Sequence, residues 1–244
     1  MPMKKSLGQH FLTDPSAHKT IVATAEIAPG DLVLEIGPGS GLLTDHLLDA
    51  GAQVIAVEKD NALAAKLKEK YLGKSIEIIN DDILRYSSRA IKLYSYKVVG
   101  NIPYYLTGRL IRTILQEWPQ PKLIVLMVQK EVAKRITAKP PEMNMLAVLV
   151  QYYTAPTIIK IVKAGSFYPR PKVDSAIIKL VPTLHATRDA LHILKIAAQG
   201  FSHPRKKLGS NLPKDILEAA GIDPNRRAET LTLEEWKSLA KIQN

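Results

Sequence analysis

Short apolar runs alternate with helix-spaced apolar positions through the first half of the chain. Leu32, Val33, Leu34 and Ile36 form a run suited to a buried strand, and Gly37, Gly39 and Gly41 break it. Leu42, Leu43, Leu47 and Leu48 then resume at helical spacing. Residues 53–58 read as a second buried strand ending on an acid, 61–71 as a helix and 75–79 as a third strand. Residues 96–100 and 122–129 give a fourth and a fifth strand, with a helix over 107–117 between them. This βαβα alternation predicts an α/β fold, a mostly parallel sheet with helices on both faces and ligands at the carboxyl ends of its strands.

The flanking segments follow other patterns. Residues 4–12 have no clean period and are expected to form an extended arm. Asp14-Pro15 is an N-cap followed by proline at the first helical position, which starts a helix running to about Ala25. Two late strands, 157–162 and 175–181, are separated by a short proline-rich stretch and are expected to close the sheet as an antiparallel pair. Pro182-Thr183-Leu184 reads as a hinge, and 192–200 and 231–239 read as helices. The expected organisation is a sheet domain over 1–184 and a small all-helical domain over 185–244.

Composition narrows the function classes. A chain of 244 residues with 46% hydrophobic positions can bury a full core. Its longest apolar runs, 123–128 and 145–150, are too short to span a bilayer, and the opening residues lack the apolar core of a signal peptide. Zero cysteines exclude disulfides and thiolate metal sites, and the six histidines lack close-paired ligand spacing. The expectation is a cytoplasmic, monomeric protein with no metal and no membrane partner. The net charge of +11 is uneven: from Ile83 to Gln116 six basic residues (Arg85, Arg89, Lys92, Lys97, Arg109 and Arg112) stand without an acid. Met143 to Val173 is also acid-free and carries Lys160, Lys163, Arg170 and Lys172, whereas the first sixty residues carry eight acids. Two such blocks beside a candidate site favour a polyanionic substrate.

The chemistry is carried by two turns. The first, Glu35-Ile36-Gly37-Pro38-Gly39-Ser40-Gly41, lacks the third glycine of a dinucleotide fingerprint, since Leu42 stands in its place, and lacks the Gly-Lys-Ser/Thr of a phosphate loop. It has the form of the S-adenosylmethionine (SAM) loop of Rossmann-like methyltransferases, although taken alone an ordinary tight βα turn also fits. Glu58 lies seventeen residues beyond Gly41, near where such folds place the carboxylate that accepts ribose hydroxyls. Asp82, past the third strand, could accept from an adenine amino group or cap a turn. The second turn is Asn101-Ile102-Pro103-Tyr104. The exocyclic nitrogen of adenine is a poor nucleophile because its lone pair is delocalised into the ring. An Asn side-chain carbonyl and the following backbone carbonyl can accept both amino hydrogens and free that lone pair for attack on a sulfonium methyl. Pro103 biases Ile102 to an extended backbone, and Tyr104 can stack on the base, worth about 1–3 kcal/mol. Ile102, where a second proline could stand, is expected to leave room for a monomethylated product.

Four stretches in this order carry a resemblance: Ser6-Leu7-Gly8-Gln9-His10-Phe11-Leu12, the loop 35–41, Asn101–Tyr104, and Phe167-Tyr168-Pro169-Arg170-Pro171-Lys172-Val173-Asp174-Ser175. Together they resemble the small-subunit ribosomal RNA adenine N6-dimethyltransferase family, the KsgA/RsmA group with its Erm relatives. The resemblance implies a Rossmann-like SAM-dependent methyltransferase domain with a seven-stranded, mostly parallel sheet, followed by a small helical domain. It implies His10 and Leu12 beside the methionine end of SAM, Glu35, Gly37, Gly39 and Gly41 in the cradle, Glu58 on the ribose and Asp82 on the adenine. It places the target base against Asn101–Tyr104 with Phe167 on its other face. Arg205, Lys206 and Lys207 would contact ribosomal RNA, joined by Arg109, Arg112, Arg170 and Lys172 from the basic blocks. The sequence departs from the family at His10, where many members have Asn, and at Pro204, where another Arg is usual. The implied reaction is N6,N6-dimethylation of two adjacent adenines near the 3′ end of small-subunit rRNA, within ribosome biogenesis. The rival readings are an Erm-type enzyme acting on large-subunit rRNA and an RNA-binding assembly factor for which catalysis is dispensable.

Overall fold

The computed structural model describes residues 10–86, 95–183 and 190–242. The arm over Ser6–Gln9, Arg89 and Lys92 of the first basic block, and Leu184 of the expected hinge lie outside the described residues.

The chain divides into two compact units, 1–133 with 157–182, and 134–156 with 183–244. The first unit opens with a two-residue strand, β1 (Phe11–Leu12), and α1 (Pro15–Thr24). Asp14 caps α1 by accepting from the Ser16 N–H at 2.9 Å. There follow β2 (Leu32–Ile36), α2 (Leu42–Asp49), β3 (Gln53–Glu58), α3 (Asn61–Lys70), β4 (Ile76–Asn80), β5 (Tyr96–Asn101), α4 (Thr107–Gln116) and β6 (Leu123–Gln129). α5 (Lys130–Ile136) and α6 (Met145–Tyr153) lead to β7 (Thr154–Val162), β8 (Phe167–Tyr168) and β9 (Ser175–Pro182). Seven strands form one sheet in the order β4-β3-β2-β5-β6-β9-β7, while β1 and β8 make a separate antiparallel pair. β4, β3, β2, β5 and β6 run parallel, and β9 is antiparallel to β6. The central strands are buried on both faces, which is why they read as continuous apolar runs and not as alternating ones.

The second unit holds α6 together with α7 (Ala190–Gly200), α8 (Lys214–Ala219) and α9 (Leu233–Ile242). Its core is built on Trp236, fully buried on α9. A side chain at Gly200 would lie 2.4 Å from the Trp236 ring, so glycine there is what lets α7 approach α9. Thr232 and Glu235 form a capping box at the start of α9, Thr232 N–H donating to Glu235 Oε2 at 2.7 Å and Glu235 N–H to Thr232 Oγ1 at 3.2 Å. The expected single cut after residue 184 differs from this division. Residues 145–153 are apolar nearly all round and pack on α7 and α9, so 134–156 joins the helical unit. No helix among the described residues is long and apolar enough to cross a membrane.

Candidate active site

The direction of strand addition reverses between β2 and β5, which lie side by side at the centre of the sheet. In such a sheet the carboxyl ends of those two strands open a crevice. Their close approach depends on Gly100, where an added Cβ would lie 2.8 Å from the Ile36 carbonyl oxygen. A cavity of about 360 Å³ occupies the crevice, lined by His10–Leu12, the loop after β2, the end of β3, Asp81–Leu84 and the stretch from Asn101 to Leu106 with Arg109. That is the size of a small-molecule site.

The loop after β2 is a cradle shaped by backbone geometry. Gly37, Gly39 and Gly41 all have positive φ, at 67°, 59° and 83°. A Cβ on Gly39 would meet the Phe11 ring at 2.9 Å, and one on Gly41 would meet Tyr71 Oη at 2.4 Å. The Tyr71 hydroxyl donates towards both the Gly41 carbonyl (2.7 Å) and Asp45 Oδ1 (2.8 Å), pinning the loop from behind.

Three acids face this end. Glu35 is 1% exposed, and its Oε2 accepts from Thr44 Oγ1 at 2.7 Å while Oε1 has no partner among the described residues. Burial pushes its carboxyl up to about 8, helped by nearby Asp45 and Glu58. An unpaired acceptor in that position suits a ligand that brings a cation or donor to it. Glu58, also buried, accepts from Asp60 N–H at 2.8 Å and Gly39 N–H at 3.1 Å, so its carboxylate ties the cradle to β3. Burial raises its pKa. Asp82 accepts from Leu84 N–H at 3.0 Å through Oδ1 and from Lys59 Nζ at 2.8 Å through Oδ2. The Lys59 hydrogen bond lowers its pKa and keeps it ionised.

At the other end stands the second turn. The Asn101 side-chain N–H donates to the His10 carbonyl at 3.0 Å, and its Oδ1 accepts from no group among the described residues. The Ile102 N–H donates to Met127 O at 3.1 Å and its side chain is buried. Its carbonyl accepts from no group among the described residues, whereas Pro103 O takes the Leu106 N–H at 2.9 Å. Among the described residues, two neighbouring carbonyl oxygens, Asn101 Oδ1 and Ile102 O, are thereby left without a donor in the same turn as Tyr104. The Tyr104 hydroxyl bonds Ser175 Oγ at 2.9 Å, and burial raises its pKa. His10 stacks on the Tyr104 ring with centroids 5.7 Å apart.

Most predicted residues from the two turns therefore meet in one cavity: His10, Leu12, Glu35, Gly37, Gly39, Glu58, Asp82 and Asn101–Tyr104 all line it. Gly41 acts from behind the lining through Tyr71. The sequence expectation puts Phe167 on the other face of the target base. It is 4% exposed, opposite Leu12 in the β1–β8 pair, and belongs to the core and not to the cavity lining. A Phe before a proline-rich turn looks the same in sequence whether it faces a pocket or the core. Of the cations, Arg109 lines the cavity, while Arg112, Arg170 and Lys172 are exposed outside its lining. Arg205, Lys206 and Lys207 lie on the surface of the second unit, with Lys207 Nζ donating to Asn225 Oδ1 at 2.9 Å. Sequence reasoning missed Lys59 and Tyr105, the latter 62% exposed in the lining. Their only signals were a charge directly after Glu58 and a second aromatic after Tyr104.

The cradle, the unpaired Glu35 oxygen and the acids at the ends of β3 and β4 fit a cofactor with a cationic end, a ribose and an adenine. Fold and site together define a Rossmann-like methyltransferase that uses SAM. More particularly, the chain belongs to the family described as ribosomal RNA adenine dimethylase, which it matches over residues 2–244. It is 42% identical over 252 residues to the ribosomal RNA small subunit methyltransferase A of Dehalococcoides mccartyi (strain BAV1), covering 97% of this chain and 87% of that protein. The protein of the same name from Clostridium botulinum (strain Langeland) is 39% identical, with 97% and 92% covered. Among solved structures, the chain is similar to a dimethyladenosine transferase from Plasmodium falciparum, with TM-score 0.80, 26% identity and 94% and 96% of the two chains covered. It is also similar to the 23S rRNA methyltransferase ErmE, with TM-score 0.78, 28% identity and 95% and 98% covered.

Proposed function

We propose that this chain dimethylates N6 of two adjacent adenines in the 3′-terminal hairpin loop of small-subunit (16S) rRNA, using SAM, during maturation of the small ribosomal subunit. The observation that carries the reading is the pair of acceptors, Asn101 Oδ1 and Ile102 O, that are unengaged among the described residues and lie in the turn with Tyr104 at the switch point of the sheet. The bound cofactor supplies an electrophilic methyl group. Glu35, Glu58, Asp82 and the cradle would hold and orient it in a cavity whose lining also includes Leu12, Ile36 and Val57.

The protein's work on the base is positional. A target adenine must leave its stack to reach Asn101. Tyr104 carries the plane of the base, and Asn101 Oδ1 and Ile102 O accept the two amino hydrogens, which localises the nitrogen lone pair for in-line attack. As the N–C bond forms, the methyl–sulfur bond would break with its electron pair staying on sulfur; the methylated nitrogen is then acidic, and its proton passes to water without a strong side-chain base. In a second round the monomethylated nitrogen has one hydrogen left, so one of the two acceptors orients it. Ile102 contributes through its carbonyl, and isoleucine here in place of a second proline leaves room for the monomethylated product; full dimethylation by Ile102→Pro would contradict this.

The names of the curated relatives, at 37–43% identity, support the small subunit over the large one. The ErmE likeness stands at 28%. We place the enzyme in the cytoplasm as a monomer, with the exposed cations Arg109, Arg112, Arg170, Lys172 and Arg205–Lys207 on the RNA. Asn101→Ala tests the reading against a pure assembly factor. The expected outcome is loss of methyl transfer by at least about 100-fold with RNA binding retained. An unchanged transfer rate would contradict it.

A further inference from the structure

We propose that His18, on α1, is a further cofactor-binding residue, donating a ring hydrogen bond to the carboxylate at the amino-acid end of SAM. This rests on the reading of the cavity as the SAM site. His18 is out of place on a helix face that is otherwise core. α1 buries Ala17 and Ile21 completely, and His18 beside them is 4% exposed. Its ring nevertheless lines the cavity, and no described residue hydrogen-bonds either ring nitrogen. Its ring contact is with His46 of α2, the centroids 5.6 Å apart and the planes at 38°. A buried polar side chain without a partner costs free energy unless a ligand supplies one. Leucine would fill a core position without that cost, so the imidazole points to a ligand in the cavity.

Charge narrows the kind of ligand group. Burial, with His46 beside it, lowers the His18 pKa, while Asp14 works the other way. At neutral pH the ring is therefore uncharged, with one N–H to donate and one nitrogen to accept. His18 meets the cavity on the side of α2, the helix that carries both His46 against its ring and Thr44 on Glu35. Glu35 Oε1 has no partner among the described residues and is an acceptor for an ammonium group. The amino-acid end of SAM is a zwitterion, so its carboxylate calls for a donor as well, and His18 brings one from a separate element. The start of α2 favours the same charge: Gly41 makes no side-chain cap, and Ser40, Leu42 and Leu43 line the cavity. Asp45 in that first turn is engaged elsewhere, by Lys70 and Tyr71.

The test compares three ligands by equilibrium dialysis on the full chain: SAM, decarboxylated SAM, and 5′-methylthioadenosine, which lacks the whole amino-acid end. His18→Leu should weaken the Kd for SAM about tenfold, since a hydrogen bond to a charged group is lost. For the other two ligands the Kd should stay within about twofold. His18→Gln, which restores an amide N–H, should recover most of the loss for SAM. Should His18→Leu not fold, His18→Phe carries the same comparison. Equal weakening for all three ligands would make His18 a structural residue and overturn the proposal. Weakening for SAM and decarboxylated SAM alike, with methylthioadenosine unaffected, would put the contact on the ammonium and overturn it as well, as would no change at all. If the unaltered chain bound none of the three, the SAM reading of the cavity would fall with it. Absence of methyl transfer alone would count against the enzymatic reading and leave His18 to these binding constants.

Discussion

Glu35 illustrates how much a single buried carboxyl can decide. Its pKa is about 8 in the folded chain because burial disfavours the charged form, against an ordinary value of 4.5. With the folded value the higher, the native protein keeps a proton that the unfolded chain releases between those two values. Stability should therefore fall as pH rises from about 4.5 to about 8. Glu35→Gln retains an acceptor for Thr44 and cannot ionise, so urea unfolding should show it losing less stability than the parent over that window, by more than about 1 kcal/mol. Equal slopes would mean that the group is ionised throughout. The same argument bears on function: a cofactor bringing a cation to Glu35 Oε1 should release a proton on binding, seen as heat that depends on the buffer in calorimetry. Sequence placed an acid at this position but could not show that Thr44 satisfies one oxygen while the other has no partner among the described residues, since that depends on where α2 lands.

The cradle and the caps belong to the scale of elements. Gly41→Ala places a Cβ at a φ of 83° and 2.4 Å from Tyr71 Oη. The expected outcome is a loss of at least about 2 kcal/mol in stability together with weakened SAM binding, read by thermal melting and dialysis. Thr232→Ala removes half of the α9 capping box and should cost about 1 kcal/mol. Strands over 53–58 and 122–129 were legible because a strand buried on both faces must be an unbroken apolar run. The short β1 was legible only as an extended arm, because two residues pairing with Phe167 and Tyr168 leave no period to read. The helix over 145–153 was visible as an apolar run, yet periodicity carries no information about which body an all-round apolar helix joins. The setting of Phe167 was hidden for a related reason: its neighbours Tyr168, Pro169 and Pro171 mark a turn, and its pairing with Leu12, far away in the chain, leaves no local pattern to read.

For the whole molecule, the governing quantity is a net charge of +11 distributed over both units. RNA affinity should therefore fall steeply with salt. Replacing Arg205, Lys206 and Lys207 one at a time should reduce the slope of log K against log salt by about 0.7–0.9 for each phosphate that is no longer neutralised. An unchanged slope would remove that cluster from the interface. The central claim is nevertheless chemical: this chain is an adenine N6-dimethyltransferase of the small subunit, with two carbonyl acceptors, unengaged among the described residues, proposed to hold the target amino group. Methyl transfer from labelled SAM to purified small and large subunits lacking their modifications, followed by nucleoside analysis and mapping, tests it most directly. The account predicts N6,N6-dimethyladenosine at two adjacent adenines of the small-subunit rRNA and no label in the large one. Label confined to the large subunit, or SAM bound with no transfer to either, would contradict it.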